Sequence, residues 1–154
     1  MTERFQDHRN GAITDTATGL MWEESYAYAE SGNYMTWYEA EGYVARLNQK
    51  KLGGFSDWRL PNKLELQSLY LMGRTFESRG RTFELHIDPV FEFGWGSCFW
   101  TWREWLSGAL SFSFDHADLR WYPKGSPSAT VRAVRENLNP SLLLKPFAEA
   151  GRGA

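Results

Sequence analysis

The change of hydrophobic period at Cys98 constrains this chain more than any other feature of its sequence. Ahead of it, Trp37, Ala40, Val44 and Leu47 recur three and four residues apart, and Leu66, Leu69 and Tyr70 make a second helical stripe. Beyond it the period is two. Cys98-Phe99-Trp100-Thr101-Trp102 reads as a strand, and Leu110, Phe112 and Phe114 alternate with Ser111 and Ser113. Leu119-Arg120-Trp121-Tyr122 is stopped by Pro123, and Thr130-Val131-Arg132-Ala133-Val134 is expected to close the sheet. Helices followed by a run of strands, rather than alternating with them, argue for an α+β architecture.

Local signals set the boundaries. Thr36 with Glu39, and Asn62 with Glu65, each form a capping box, in which two otherwise unpaired amides are satisfied reciprocally. Gly53-Gly54 is expected to stop the first helix and Gly73 the second. Between them Asp57-Trp58-Arg59-Leu60-Pro61-Asn62 reads as a rigid turn that locks helices against sheet. Arg132 and Arg135 read as scaffold residues that bond carbonyls or carboxylates. At the start of the chain, Asn10-Gly11 between Phe5-Gln6-Asp7 and Ala12-Ile13-Thr14 predicts a short hairpin, followed by a strand at Leu20-Met21-Trp22. Residues 29–34 read as loop, and 74–84 as an exposed excursion before Ile87 to Phe91 return to the core. The expectation is one domain over residues 1–136, two helices packed on a twisted, mostly antiparallel sheet, with residues 137–154 as a tail.

Several function classes are disfavoured. The net charge is −2 and no Lys/Arg run occurs, which argues against nucleic acid as a partner. No apolar stretch approaches membrane-spanning length, so no membrane insertion is expected. Met1-Thr2-Glu3-Arg4 starts no secretory signal pattern, which makes the chain as written cytoplasmic, or surface-displayed or virion-associated within a larger assembly. The single cysteine, Cys98, allows neither an intrachain disulfide nor a thiolate zinc cage, and reads as buried and structural. His8, His86 and His116 show no metal-ligand spacing, and Asp115 with Asp118 reads as a solvated turn. No phosphate loop or nucleophile elbow is present. The chain is therefore expected to be no enzyme, with no catalytic residue, cofactor or metal.

Composition enters at the aromatics: 8 Trp, 7 Tyr and 10 Phe among 154 residues. Such side chains fill cores and also dominate recognition surfaces. Trp100, Phe112 and Phe114 read as core. Between Trp102 and Lys124 the alternation offers Trp102, Arg103, Glu104, Trp105, Ser107, His116, Asp118, Arg120, Tyr122 and Lys124 as ligand-binding candidates. Trp102 and Trp105 fit core or contact equally, although Arg103 and Glu104 between them make full burial costly.

The motifs also occur in a familiar order. Phe5, Asn10-Gly11, Thr14-Asp15 and Thr18-Gly19-Leu20-Met21-Trp22 are followed by Trp37, Leu52-Gly53-Gly54, Asp57-Trp58-Arg59-Leu60-Pro61-Asn62 and Glu65-Leu66. Ile87-Asp88-Pro89, Phe99-Trp100 and Val131-Arg132-Ala133-Val134-Arg135 complete the series. The set closely resembles the C-terminal domain family of the Legionella collagen-like adhesin, over roughly residues 5 to 135. That resemblance implies a C-type-lectin-like fold related to the formylglycine-generating scaffold. The roles it implies are adhesion to sulfated glycans and target binding by variable proteins of diversity-generating retroelements. Two departures stand out: Trp102, Arg103, Glu104 and Trp105 replace small hydroxyl residues, and Ala133 stands where cysteine is common. One cysteine cannot repeat the relatives' two-cysteine copper chemistry, and no Glu-Pro-Asn or Gln-Pro-Asp tripeptide supports calcium-dependent sugar binding. Three expectations follow. The chain is a target-binding protein with a variable C-terminal face for a protein or cell-surface ligand. Alternatively it is a fixed glycan adhesin using Arg103, Arg120 and Lys124, or a structural homo-oligomerisation module.

Overall fold

The computed structural model describes residues 3–71, 75–84, 86–94 and 96–136. In chain order they form strands β1 (Phe5–Asp7), β2 (Ala12–Asp15) and β3 (Leu20–Glu23), then helices α1 (Ala27–Ser31) and α2 (Trp37–Gln49). A 3-10 turn (Leu52–Gly54), helix α3 (Lys63–Leu69) and the pair β4 (Thr75–Ser78) and β5 (Arg81–Glu84) follow. Strands β6 (Cys98–Trp105), β7 (Gly108–Ser113), β8 (Asp118–Pro123) and β9 (Val134–Glu136) complete a mixed α+β architecture with antiparallel sheets. Among the described residues no helix is long and apolar enough to cross a membrane.

Both capping boxes form. Thr36 accepts from the Glu39 amide at 3.1 Å while Glu39 accepts from the Thr36 amide at 2.9 Å, and Asn62 and Glu65 do the same at 2.8 and 2.9 Å. Helix α2 buries Trp37, Ala40, Tyr43, Val44 and Leu47, the stripe its spacing predicts with Tyr43 added. It stops earlier than Gly53-Gly54, because Lys51 already adopts a left-handed backbone (φ 54°). Helix α3 stops at Leu69, where Tyr70 turns extended. Gly73 and the tail of residues 137–154 lie outside the described residues.

Two expectations are corrected and a third gains detail. Residues 29–34 are not all loop: α1 is a five-residue helix ended by Gly32 at φ 72°. The excursion of residues 74–84 contains the β4–β5 hairpin, turned by Arg79 and Gly80 at positive φ. The strands do not form one sheet. The first sheet has the order β1-β2-β3-β9 and the last has β6-β7-β8. The closing segment is drawn into the first sheet because β9 pairs with β3. Val134 also exchanges backbone bonds of 2.8 and 3.0 Å with Arg59 in the rigid turn. In that sheet Phe5 stands opposite Asp15, Asp15 opposite Leu20, and Leu20 opposite Glu136, a single row across four strands.

The β6-β7-β8 sheet sits between two cores. Trp100, with Trp37, Ala40, Val44 and Trp58, belongs to one; Phe99 and Phe112, with Trp22, Leu66, Leu69 and Phe91, belong to the other. Burying a large apolar side chain is worth about 1.5–3 kcal/mol, so these contacts carry most of the stability. Arg132 lies at the junction, fully enclosed. Its guanidinium donates to the carbonyls of Glu23 (3.0 Å), Glu24, Ser25 (2.7 Å) and Glu92 (2.6 Å). It also lies 5.0 Å from the Tyr26 ring centroid and 4.9 Å from that of Phe91. Arg135 pairs with Asp57 at 2.6 Å, and Arg59 grips Glu65 through two bonds of 2.8 and 2.7 Å. The scaffold reading of these arginines is what the structure shows.

Candidate functional site

The placement of the candidate residues begins with an irregularity in β6. Trp100 pairs with Ser111 and Glu104 with Ala109, so Thr101, Trp102 and Arg103 stand against Leu110 alone. Two surplus residues bend a strand and re-aim its side chains. The bend is held from both sides. Thr101 Oγ1 donates to the Leu110 carbonyl at 2.9 Å, and the Trp102 amide donates to the Pro61 carbonyl at 2.9 Å. The rigid turn thereby fixes the strand that carries the candidates.

Directly paired residues of a sheet share a face. Trp100, Glu104, Ala109 and Tyr122 therefore face α2, while Trp105, Gly108, Leu110, Phe112, Leu119 and Trp121 share the other face. At its base this second face is core: Tyr70 beside α3 lies edge-on to Phe112, centroids 6.3 Å apart. At its tip the same face is open. Trp105 is 69% exposed, Leu106 80% and Trp121 50%, and Leu119 borders them. The Trp121 ring lies over Gly108, where an added Cβ would meet its Cε3 at 3.8 Å. Leu106 occupies the hairpin turn with a left-handed backbone (φ 53°), a conformation that costs a non-glycine residue about 1 kcal/mol.

The other candidates distribute unevenly. Glu104, Trp105, Ser107, His116 and Arg120 are exposed; Trp102, Arg103, Asp118 and Tyr122 are half-buried. Tyr122 and Lys124 are the candidates most engaged with the scaffold. Tyr122 turns inward and meets the edge of Trp100 at 6.3 Å, because the register puts it opposite Ala109. The Lys124 side chain is only 12% exposed and acts as a staple. Its amide donates to Ser107 at 2.8 Å, its carbonyl accepts from Trp37 at 3.0 Å, and its ammonium bonds Glu104 and sits 5.3 Å from the Trp37 ring centroid. Arg120 pairs with Asp118 at 3.1 Å. Two of the three cations a sulfated-glycan site would recruit are thus already matched to acids. Sequence reasoning missed Trp121, Leu119 and Leu106. The available signal was that a strand ended by Pro123 is an edge strand, which turns apolar residues outward without contradiction.

A cleft of about 490 Å³ separates α2 from β6, lined on one wall by Trp37, Glu41 and Val44 and on the other by Trp102 and Glu104, with Leu60 at the end. Burial in the cleft and the nearby Glu104 push the Glu41 carboxyl up, against the pull of Lys124. The Trp102 indole N–H is enclosed, with no hydrogen-bond partner among the described residues.

Elsewhere, Cys98 is buried with its thiol donating to Ser111 Oγ at 3.4 Å, and burial pushes that thiol up. His8 meets Thr14 Oγ1 at 2.7 Å, and His86 meets the Leu71 carbonyl at 3.0 Å. Among the described residues no group of three His, Cys, Asp or Glu side chains is arranged to hold a metal ion. What the geometry defines is a mixed α+β domain whose last sheet turns an aromatic surface to solvent. The model of the Lcl C-terminal domain family matches residues 11–135, and the chain belongs to that family of adhesin-type domains. No curated protein matches the chain.

Proposed function

We propose that the chain is a non-catalytic target-recognition domain on a C-type-lectin-like scaffold, and that its contact surface is the open end of the β6-β7-β8 sheet. The observation that carries this reading is the cluster of Trp105, Leu106 and Trp121. Each is at least half exposed, and Leu106 keeps a strained turn that glycine would relieve. Nothing in packing explains three large apolar side chains in solvent, whereas aromatic anchors on a rigid frame are what a binding surface uses. The frame is stiff because the β6 bulge is bonded to the Pro61 turn and the β8 end to α2. Little ordering entropy is then lost on binding. A variable protein of a diversity-generating retroelement fits this division into fixed frame and exposed tip.

The gene's flanks test the variable role. A nearby degenerate copy of the segment encoding roughly residues 99–135, differing only at adenines, is expected; its absence from a self-contained locus overturns diversification. A library randomised at Trp105, Leu106, Leu119 and Trp121 tests the surface itself. Most members are expected to fold and some to bind new proteins, and a library that mostly misfolds overturns the proposal.

Family membership favours a second reading, a fixed adhesin for sulfated glycans. The pairing of Arg120 with Asp118 and of Lys124 with Glu104 weighs against it. Retention on heparin that is lost in Arg103→Ala and Arg120→Ala would establish it. Self-association lost in Trp105→Ala, with no ligand behaviour to lose, would support the structural homo-oligomerisation module instead.

A further inference from the structure

We infer that the cleft between α2 and β6 receives a lysine or arginine side chain of the bound protein, with Trp102 as its apolar wall and Glu41 as its counter-charge. This rests on the reading of the adjoining sheet as a recognition surface. The argument starts from a pairing the chain makes within itself. At one end of the cleft an indole, Trp37, and a carboxylate, Glu104, hold the Lys124 ammonium between them. The remaining indole and carboxylate are Trp102 and Glu41, which line the same cleft. Among the described residues Glu41 accepts no hydrogen bond and joins no ion pair. Of the two carboxylates that line the cleft, Glu104 is paired with Lys124 and Glu41 is left without an ion pair among the described residues, while the lining cation Arg59 is engaged by Glu65 and Glu136.

The two walls come from regular elements, so the arrangement is preformed. Trp37, Glu41 and Val44 follow one another at helical spacing along α2. Trp102 and Glu104 project from β6 on its α2-facing side. Val44 and Leu60 would cover the methylene stem of an entering side chain, which suits a long amphipathic residue. The guanidinium of Arg59, which also lines the cleft, is occupied by Glu65 and Glu136 and does not neutralise Glu41. Cation–π attraction and a rim carboxylate together select a cation over a neutral group of equal shape. A neutral sugar could donate hydroxyl hydrogen bonds to Glu41 but would form no ion pair with it.

The test is a titration of the isotopically labelled chain with Nα-acetyl-arginine amide, followed at the Trp102 indole N–H and the Glu41 amide by NMR. Nα-acetyl-citrulline amide and methyl α-glucoside serve as uncharged probes at matched ionic strength. Saturable shifts at both groups are expected with the arginine compound alone. Glu41→Gln, a change at an exposed position that leaves the core untouched, is expected to weaken them about two- to fivefold, the size of a surface ion pair. Equal shifts with citrulline, shifts with the glucoside only, or an unchanged titration in Glu41→Gln would each overturn the inference. The double variant Trp105→Ala, Trp121→Ala separates the two readings. It is expected to keep the arginine titration while losing target binding. If arginine fails while those tryptophans still govern target binding, the sheet surface stands and the cleft assignment falls.

Discussion

At the junction of the two cores, Arg132 donates to four backbone carbonyls and is ringed by Tyr26, Phe91 and Phe99. At the tip of the β6–β7 hairpin, Trp105 and Trp121 share a sheet face with Phe112 yet stand in water. Both regions combine aromatic side chains with charge. In the first, both Nη nitrogens of the arginine meet acceptors fixed in the backbone, so the charge can be kept without solvent. Burial lowers its pKa only to about 10, leaving it protonated. In the second, Trp105 and Trp121 keep half or more of their surface in solvent, with the Trp121 ring resting only in part over Gly108. The difference teaches that the aromatic side chains where the chain crosses between sheets carry structure, whereas those at the tip lie largely outside the packing.

The comparison breaks first at its strongest point. Arg132→Ala is expected to lower stability by about 3–5 kcal/mol, the cost of leaving buried partners of a charge unmet. Urea denaturation checks this, and a loss below about 1 kcal/mol would mean the junction is not the keystone. Next comes Glu23, which accepts from the Tyr43 hydroxyl and from the Ala133 amide at 3.1 Å. Burial pushes its carboxyl up from 4.5 to about 7. The folded chain therefore holds this proton more tightly than the unfolded chain. The stabilisation is full below about pH 4.5, declines as pH rises to about 7 and is gone above it. Its size is about 3 kcal/mol. Denaturation across pH 4.5 to 8 should show the decline in the parent chain and not in Glu23→Gln; parallel profiles would remove Glu23 from the account.

Smaller effects belong to the tip. Leu106→Gly is expected to raise stability by up to about 1 kcal/mol by relieving the left-handed turn, while weakening target binding. A thermal melt that falls instead would show that Leu106 packs on something. Smallest in stability are Trp105→Ala and Trp121→Ala, each within about 0.5 kcal/mol. Their effect on target affinity is expected to be at least about tenfold. A large stability loss from either would erase the distinction between the two regions.

What could be read from the sequence was what is local. The capping boxes at Thr36 and Asn62 and the Asn10-Gly11 turn each involve neighbours within four residues, and each appears where the spacing puts it. The scaffold role of Arg132 was legible as a type but not in its partners, which come from Glu23 to Ser25 and from Glu92. The division into two sheets was not legible, because β9 carries no mark saying that its partner is β3 rather than β6. At the candidate site the alternation of β7 sorted its side chains between the two faces correctly but not their exposure, since the serine face of that central strand is buried too. On β8 it failed: an edge strand pays no penalty for turning Leu119 and Trp121 outward, so hydrophobicity stopped reporting direction there. The bulge in β6 keeps Trp100 and Glu104 on one face because it adds two residues, but it takes Thr101 to Arg103 out of direct pairing, which no residue in the strand announces.

The row that runs Phe5, Asp15, Leu20, Glu136 has a mechanical consequence. The point where the chain enters the fold and the point where it leaves lie at the same end of one sheet, three inter-strand spacings or about 14 Å apart. Tension applied across both points would peel that sheet open one hydrogen bond at a time, the weakest way to load strands. Held from a single side, the domain hangs outside the line of force, and the open end of the β6-β7-β8 sheet stays unloaded. The same closeness means that a linker of about five residues could join the two points, and new ends could be opened at the Arg79-Gly80 turn. The domain would then be set into a loop of another protein as a self-contained plug, its aromatic face carried along intact.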